Sequence, residues 1–192
     1  MKIIFIRHGK TVGNIEKRYI GKTDEELSSI GIAEIQKNNY YNIESTESAK
    51  VISSPLKRCI QTAELIYSKI DEIHLDLREC DFGNFENKNY EELKNNNEYI
   101  KWLESGGKMG FPEGESYGSF CERCCRCFEN IIKQNLDLDT IIFVVHGGTI
   151  MAILEQFSDE NKTFFDWQTK NGQQLIFELY DANDKILLKT LF

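Results

Sequence analysis

Prolines and histidines are scarce in this chain: Pro55 and Pro112, and three histidines, among 192 residues. With so few prolines and no low-complexity stretch, a proline-rich or flexible linker is excluded. Three histidines, and no aspartate cluster at metal-ligand spacing, leave little from which to build a metal-dependent centre. No metal and no other cofactor is expected. No run approaches the ~18 apolar residues that a membrane-spanning helix needs. The apolar stretch in "MKIIFIRHGK" is too short for a signal peptide and has no small-residue cleavage site behind it. The expected setting is therefore cytoplasmic, away from membranes. Positive charge is also in deficit, with 23 Lys and Arg against 31 Asp and Glu and a net charge of −8. That excludes a general nucleic-acid-binding surface but not a local basic pocket. The six cysteines show no secreted disulfide spacing, and a reducing compartment keeps them as thiols.

What remains is an ordinary globular composition, 41% hydrophobic and 28% charged, long enough for one domain over residues 1–192. Oligomeric state, monomer or homodimer, is not readable. Two separated stretches share a form: "KIIFIRHGKT" from Lys2 and "TIIFVVHGGT" from Thr140 each run from apolar β-branched residues into His-Gly and then threonine.

Alternating elements follow. Residues 2–6 and 140–145 read as buried parallel strands, as does 49–54. Helical periodicity covers 28–40, 55–69 with Pro55 in its first turn, 90–104, a segment ending near Asn135, and 148–157. "EIHLDL" (72–77) alternates strictly and reads as a strand with Ile73, Leu75 and Leu77 on one face. The C-terminal segment reads as two strands joined by a turn at Asp181–Asp184. This order predicts an α/β fold, a three-layer α/β/α sandwich with a mostly parallel sheet. Both His-Gly pairs then lie past carboxyl ends of strands, where such folds bind ligands.

The strand ends carry the chemistry. The first delivers Arg7 and His8, with Thr11 and Asn14 behind; the second Ser53 and Ser54, with Arg58 one turn on; the third Glu79; the fourth His146, Gly147 and Gly148. Guanidinium forks match the oxygens of a phosphate monoester, neutral imidazole is a nucleophile at cellular pH, and a carboxylic acid can protonate a leaving oxygen. A small-molecule phosphate ester is the expected partner.

In order, "RHGKTVGN", "YIGKTDEELSSIG", "SSPLKRCIQTAE", "LRECDFGNFE", "GES" and "VVHGGT" resemble the histidine phosphatase superfamily, the phosphoglycerate mutase-like fold, from residue 3 to about residue 150. The resemblance implies that His8 is the nucleophile and forms a phosphohistidine. It implies that Arg7, Arg58, Asn14 and His146 bind the phosphoryl group, and that Glu79 exchanges the protons. Thr11, Gly21, Lys22, Thr23 and Gly147 would border the substrate pocket. The pattern is most similar to short bacterial α-ribazole phosphatase-type enzymes of cobalamin biosynthesis. Where mutases of the family carry Arg-His after the acidic residue, Cys80 and Asp81 stand here, which favours hydrolysis over a cofactor-dependent phosphoglycerate mutase reaction. "FGNFEN" lacks the family's usual Trp and final Gly, and Glu113 stands where glycine is common. Both departures are expected to border the leaving group, with Glu113 and Glu115 giving an acidic rim.

Other readings compete at particular residues. Arg58 alone reads as a solvated helix residue like Lys57, and Asp81 and Glu86 compete with Glu79. His74 reads as a surface histidine, and Lys10 either charges the pocket rim or faces water. "CERCCRC" invites a metal half-site, but Cys121, Cys124, Cys125, Phe128, Ile131 and Ile132 follow the apolar stripe of a core-facing helix. A phosphate-binding module without turnover is the rival class; the retention of His8 and Glu79 speaks against it.

Overall fold

The computed structural model describes residues 1–43, 48–182 and 185–191. Four strands, β1 (Lys2–Arg7), β2 (Ala49–Ser53), β3 (Glu72–Ile73) and β4 (Thr140–Val145), run parallel. β5 (Gln174–Asp181) runs against β1, and β6 (Ile186–Thr190) against β5. The sheet order is β3-β2-β4-β1-β5-β6. Part of the expected C-terminal turn, residues 183–184, lies outside the described residues.

Side-chain alternation along β1 and β4 splits the core into two layers. Ile3, Phe5, Ile141, Phe143 and Val145 pack on one side, with α6 (Tyr117–Gln134) and α7 (Gly147–Phe157). Ile4, Ile6, Ile142 and Val144 pack on the other, with Cys59 and Ala63 of α3 (Lys57–Tyr67). A third cluster, Phe85, Leu93 and Tyr99, lies under Tyr19, Phe82, Trp102 and Phe111, around α4 (Tyr90–Leu93) and α5 (Asn97–Glu104). Two more helices, α1 (Val12–Ile15) and α2 (Ser29–Lys37), follow β1. Among the described residues no helix is long and apolar enough to cross a membrane.

Several expectations need correction. The strand expected over 72–77 is two residues long and gives way to a 3-10 turn, Leu75–Leu77. At this sheet edge Ile73 and Leu75 stay 55% and 66% exposed, and only Leu77 is buried, in the cluster that includes α6. Pro55 precedes helix α3, whose N-cap is Leu56. The helix expected over 90–104 is two short helices, each capped by an asparagine, Asn89 and Asn96. The expected stripe does face the core: Cys124, Phe128, Ile131 and Ile132 are buried, with Cys121 and Cys125 packed against the same cluster, and Cys127, outside the stripe, is buried there too.

Candidate active site

The parallel register Arg7↔Val145 explains the repeated His-Gly. Strands β1 and β4 are neighbours, so the residue after each arrives at the same edge, and His8 N–H donates to Val145 O at 3.0 Å. The two imidazoles meet edge to face with centroids 5.2 Å apart. His8 Nδ1 lies 2.7 Å from Gly9 O. A carbonyl can only accept, so Nδ1 carries the proton and Nε2 keeps its lone pair. Burial, and then Arg58 and Arg7, hold the His8 pKa well below the usual histidine value. His146 is lowered likewise by burial, then by Arg58 and His8, and its Nε2 bonds Ser54 Oγ at 2.7 Å.

Arg58 is wholly buried. Its fork is aimed by carbonyls: Nη1 donates to Thr23 O at 2.7 Å and Nη2 to Gly21 O at 2.8 Å. Arg7 Nη1 donates to Thr169 O at 2.6 Å. The Nε atoms of Arg7 and Arg58 are buried without a hydrogen-bond partner among the described residues, so each keeps a donor for an anion. Glu79, also buried, accepts from Cys80 N at 3.0 Å and Gly148 N at 3.1 Å. A Cβ at Gly148 would sit 2.2 Å from Glu79 Oε1, so glycine leaves the carboxylate its place.

Asn14 and Thr11 form the capping box of α1, and Asn171 Nδ2 ties Asn14 Oδ1 and His8 O together at 3.2 and 3.1 Å. Asn171 and Thr169 were missed in the sequence. They come from the turn before β5, where the only signal is the polar "KNG" and nothing local connects it to residue 8.

A cleft of about 890 Å³ opens over this floor, reaching Arg7, Asn14, Glu79 and Gly147. His8, Arg58 and His146 sit behind its lining, 3%, 0% and 0% exposed. Its walls are aromatic: Tyr19, Phe82, Trp102 and Phe111 on the inserted cluster, with Phe164 and Phe165 after α7. Thr11, Gly21, Lys22 and Thr23 do not line it. Gly21, Lys22 and Thr23 bind the Glu86 carboxylate instead, which resolves Glu86 as a loop brace, and Asp81 pairs with Lys22 at 3.0 Å. Lys10 is on the rim, paired with Glu34 at 2.7 Å, and His74 pairs with Glu72 at 2.8 Å.

The expected acidic rim is also corrected. Neither Glu113 nor Glu115 lines the cleft; the Glu115 side chain is 14% exposed and paired with Arg123 at 2.7 Å. Asn87 and Glu113, where the resembled pattern has glycine, adopt positive φ, 57° and 55°. Those glycines therefore answer to backbone geometry, and Phe85, in place of the tryptophan, is core.

A mostly parallel sheet that sets a neutral imidazole beside a second histidine, a buried arginine, a half-buried one and a carboxylate is the apparatus of a phosphoryl-transfer enzyme. The chain belongs to the histidine phosphatase superfamily (branch 1), whose family model matches residues 3–190, and it is an enzyme of the phosphatase class. It is 28% identical to phosphoglycerate mutase-like protein 4 of Arabidopsis thaliana, over 81% of this chain and 70% of that one. It is 26% identical to the adenosylcobalamin/α-ribazole phosphatase of Escherichia coli, over 80% and 77%. The crystal structure of the α-ribazole phosphatase from Shigella flexneri shares the fold, with a TM-score of 0.82 at 22% identity over 100% of this chain and 96% of that one.

Proposed function

We propose that the protein hydrolyses a small-molecule phosphate monoester through a phosphohistidine at His8, with no metal taking part. The observation that carries this reading is the His8 tautomer: Nδ1–H is held by Gly9 O, which leaves Nε2 to attack. In the first step Nε2 bonds to phosphorus, the ester P–O bond breaks, and the carboxylic acid of Glu79 gives its proton to the departing oxygen. In the second step the Glu79 carboxylate takes a proton from water, that oxygen bonds to phosphorus, and the N–P bond breaks. Inorganic phosphate leaves and His8 is restored. Arg7, Arg58 and His146 stabilise the equatorial oxygens, and that charge stabilisation is most of what phosphoryl transfer needs.

For the substrate we favour α-ribazole 5'-phosphate. Its dimethylbenzimidazole base is flat and apolar, as a cleft walled by Tyr19, Phe82, Trp102 and Phe111 would select. A relative is named for that activity. A mutase reaction is less well supported, because a second anionic group needs free cations. Cys80 and Asp81 supply none, Lys10 is paired with Glu34 and Arg18 with Glu16 and Glu92, and among the described residues this leaves Lys170 as the one lysine of the cleft lining outside an ion pair.

The test is phosphate release in excess chelator from α-ribazole 5'-phosphate, glycerate phosphates and an aryl phosphate, with His8→Ala as control. Chelator-resistant turnover that disappears in the variant, and is fastest on the aromatic ester, is expected. Turnover that survives loss of His8 overturns the phosphohistidine route, and faster turnover of glycerate phosphates overturns the substrate.

A further inference from the structure

Helix α6 carries two arginines with opposite fates. Arg126 reaches Glu122 at 3.7 Å and stays 60% exposed at its side chain, an ordinary surface pair. Arg123, three residues earlier, is buried. Its guanidinium lies 4.9 Å over the Phe120 ring and divides its donors between one short stretch of backbone and a single carboxylate. Nη1 donates to Asp76 O and Arg78 O at 2.8 Å each, and Nη2 to Glu79 O at 3.0 Å. The other edge grips Glu115 in a two-point pair, Nε to Oε1 at 2.7 Å and Nη2 to Oε2 at 2.8 Å. Glu115 in turn donates its own N–H to Asp81 O at 2.9 Å.

One ion pair therefore holds the backbone on both sides of Glu79, while among the described residues the Glu79 carboxylate itself is held by the N–H groups of Cys80 and Gly148 alone. One of those two N–H groups belongs to Cys80, in the backbone that the pair grips, so shifting that backbone shifts the aim of the carboxyl. We infer that the Arg123–Glu115 pair is the positioning element that points the Glu79 carboxyl at the departing oxygen of the substrate. Neither residue touches the cleft; the pair acts through Glu79. A buried pair of this kind adds little net stability against an apolar replacement, so fixing a catalytic group accounts for it better than holding the fold does. A neighbouring cysteine touches the same group. Cys124 Sγ lies 3.6 Å from Arg123 Nη1 and adds its own contact to Asp76 O at 3.6 Å.

The inference rests on the phosphohistidine reading and is tested apart from it by leaving-group dependence. A proton from Glu79 matters for expelling phenol, a group as basic as a tyrosine side chain with a pKa near ~10, and hardly at all for dinitrophenol, which leaves as a stable anion. The measurement is the single-turnover rate of phosphoenzyme formation from phenyl, para-nitrophenyl and dinitrophenyl phosphates, for the wild type and Arg123→Lys. Lysine keeps the charge but loses the fork. The expected result is a roughly 10- to 100-fold loss on phenyl phosphate with KM unchanged, against a loss within about threefold on dinitrophenyl phosphate.

Equal losses on all three esters, or none on any, overturn the proposal. If Arg123→Lys does not fold, Glu115→Gln is put through the same series, and failure of both to fold shows the pair to be structural and overturns it too. A wild type that forms no phosphoenzyme at all overturns the phosphohistidine reading, and this inference with it.

Discussion

Gly148→Ala places a single methyl group between stability and catalysis. Gly148 is the second residue of α7, and the added Cβ lies 2.2 Å from Glu79 Oε1 and 3.1 Å from the Phe120 ring. To reach ordinary van der Waals separation the carboxylate must retreat by about 1 Å. It is the end of a rotatable side chain, so it moves and the helix does not. The helix itself prefers alanine by about 0.5–1 kcal/mol. Misplacing a proton donor by that distance costs on the order of 100-fold in kcat, or about 2.7 kcal/mol of transition-state stabilisation. The assay is steady-state turnover of phenyl phosphate beside urea unfolding of the same preparations. The expected variant is as stable as the wild type or slightly more so, and about 100-fold slower. Full activity would refute the placement of Glu79 as the proton donor. Activity lost together with stability would refute the reasoning that the clash falls on a movable side chain.

Stability should fall on acidification. His8 and His146 both have pKa values lowered by burial, so below about pH 6.5 the unfolded chain takes up protons that the native state refuses. Each histidine then costs up to about 1.4 kcal/mol per pH unit, from the unfolded value down to the depressed native one. Urea midpoints at several pH values, for the wild type and His146→Asn, check this; identical pH slopes in the two would count against neutral buried histidines. Gly21→Ala meets backbone, because its Cβ would lie 1.9 Å from the Cys80 carbonyl oxygen. A loss of about 1–3 kcal/mol is expected, with slower turnover, because Gly21 O aims Arg58 and Cys80 follows Glu79. A variant of unchanged stability and rate would contradict that packing.

The sequence alone determined whatever depends on neighbours along the chain. Strands β1 and β4 are continuous apolar runs because a parallel strand covered on both faces needs no polar side. Each ends in its histidine because the ligand edge begins where pairing stops. That pattern alone brought His8 and His146 to one sheet edge, whereas Arg58 and Glu79 were expected beside them from the resembled motifs. The 72–77 segment misled because alternation reports what a strand could bury, not how much of it meets a layer: Leu77 is buried in the cluster that includes α6, while Ile73 and Leu75 stay exposed. Only the tertiary structure joined Asn171 to His8, assembled the aromatic walls from Tyr19, Phe82, Trp102 and Phe165, and turned Arg123 inward while Arg126 stayed in water. Such contacts join residues far apart in the chain or turn on which helix face meets a neighbour, and a one-dimensional pattern carries neither fact. The chemistry was written at the ends of the strands, and its aim was settled by packing.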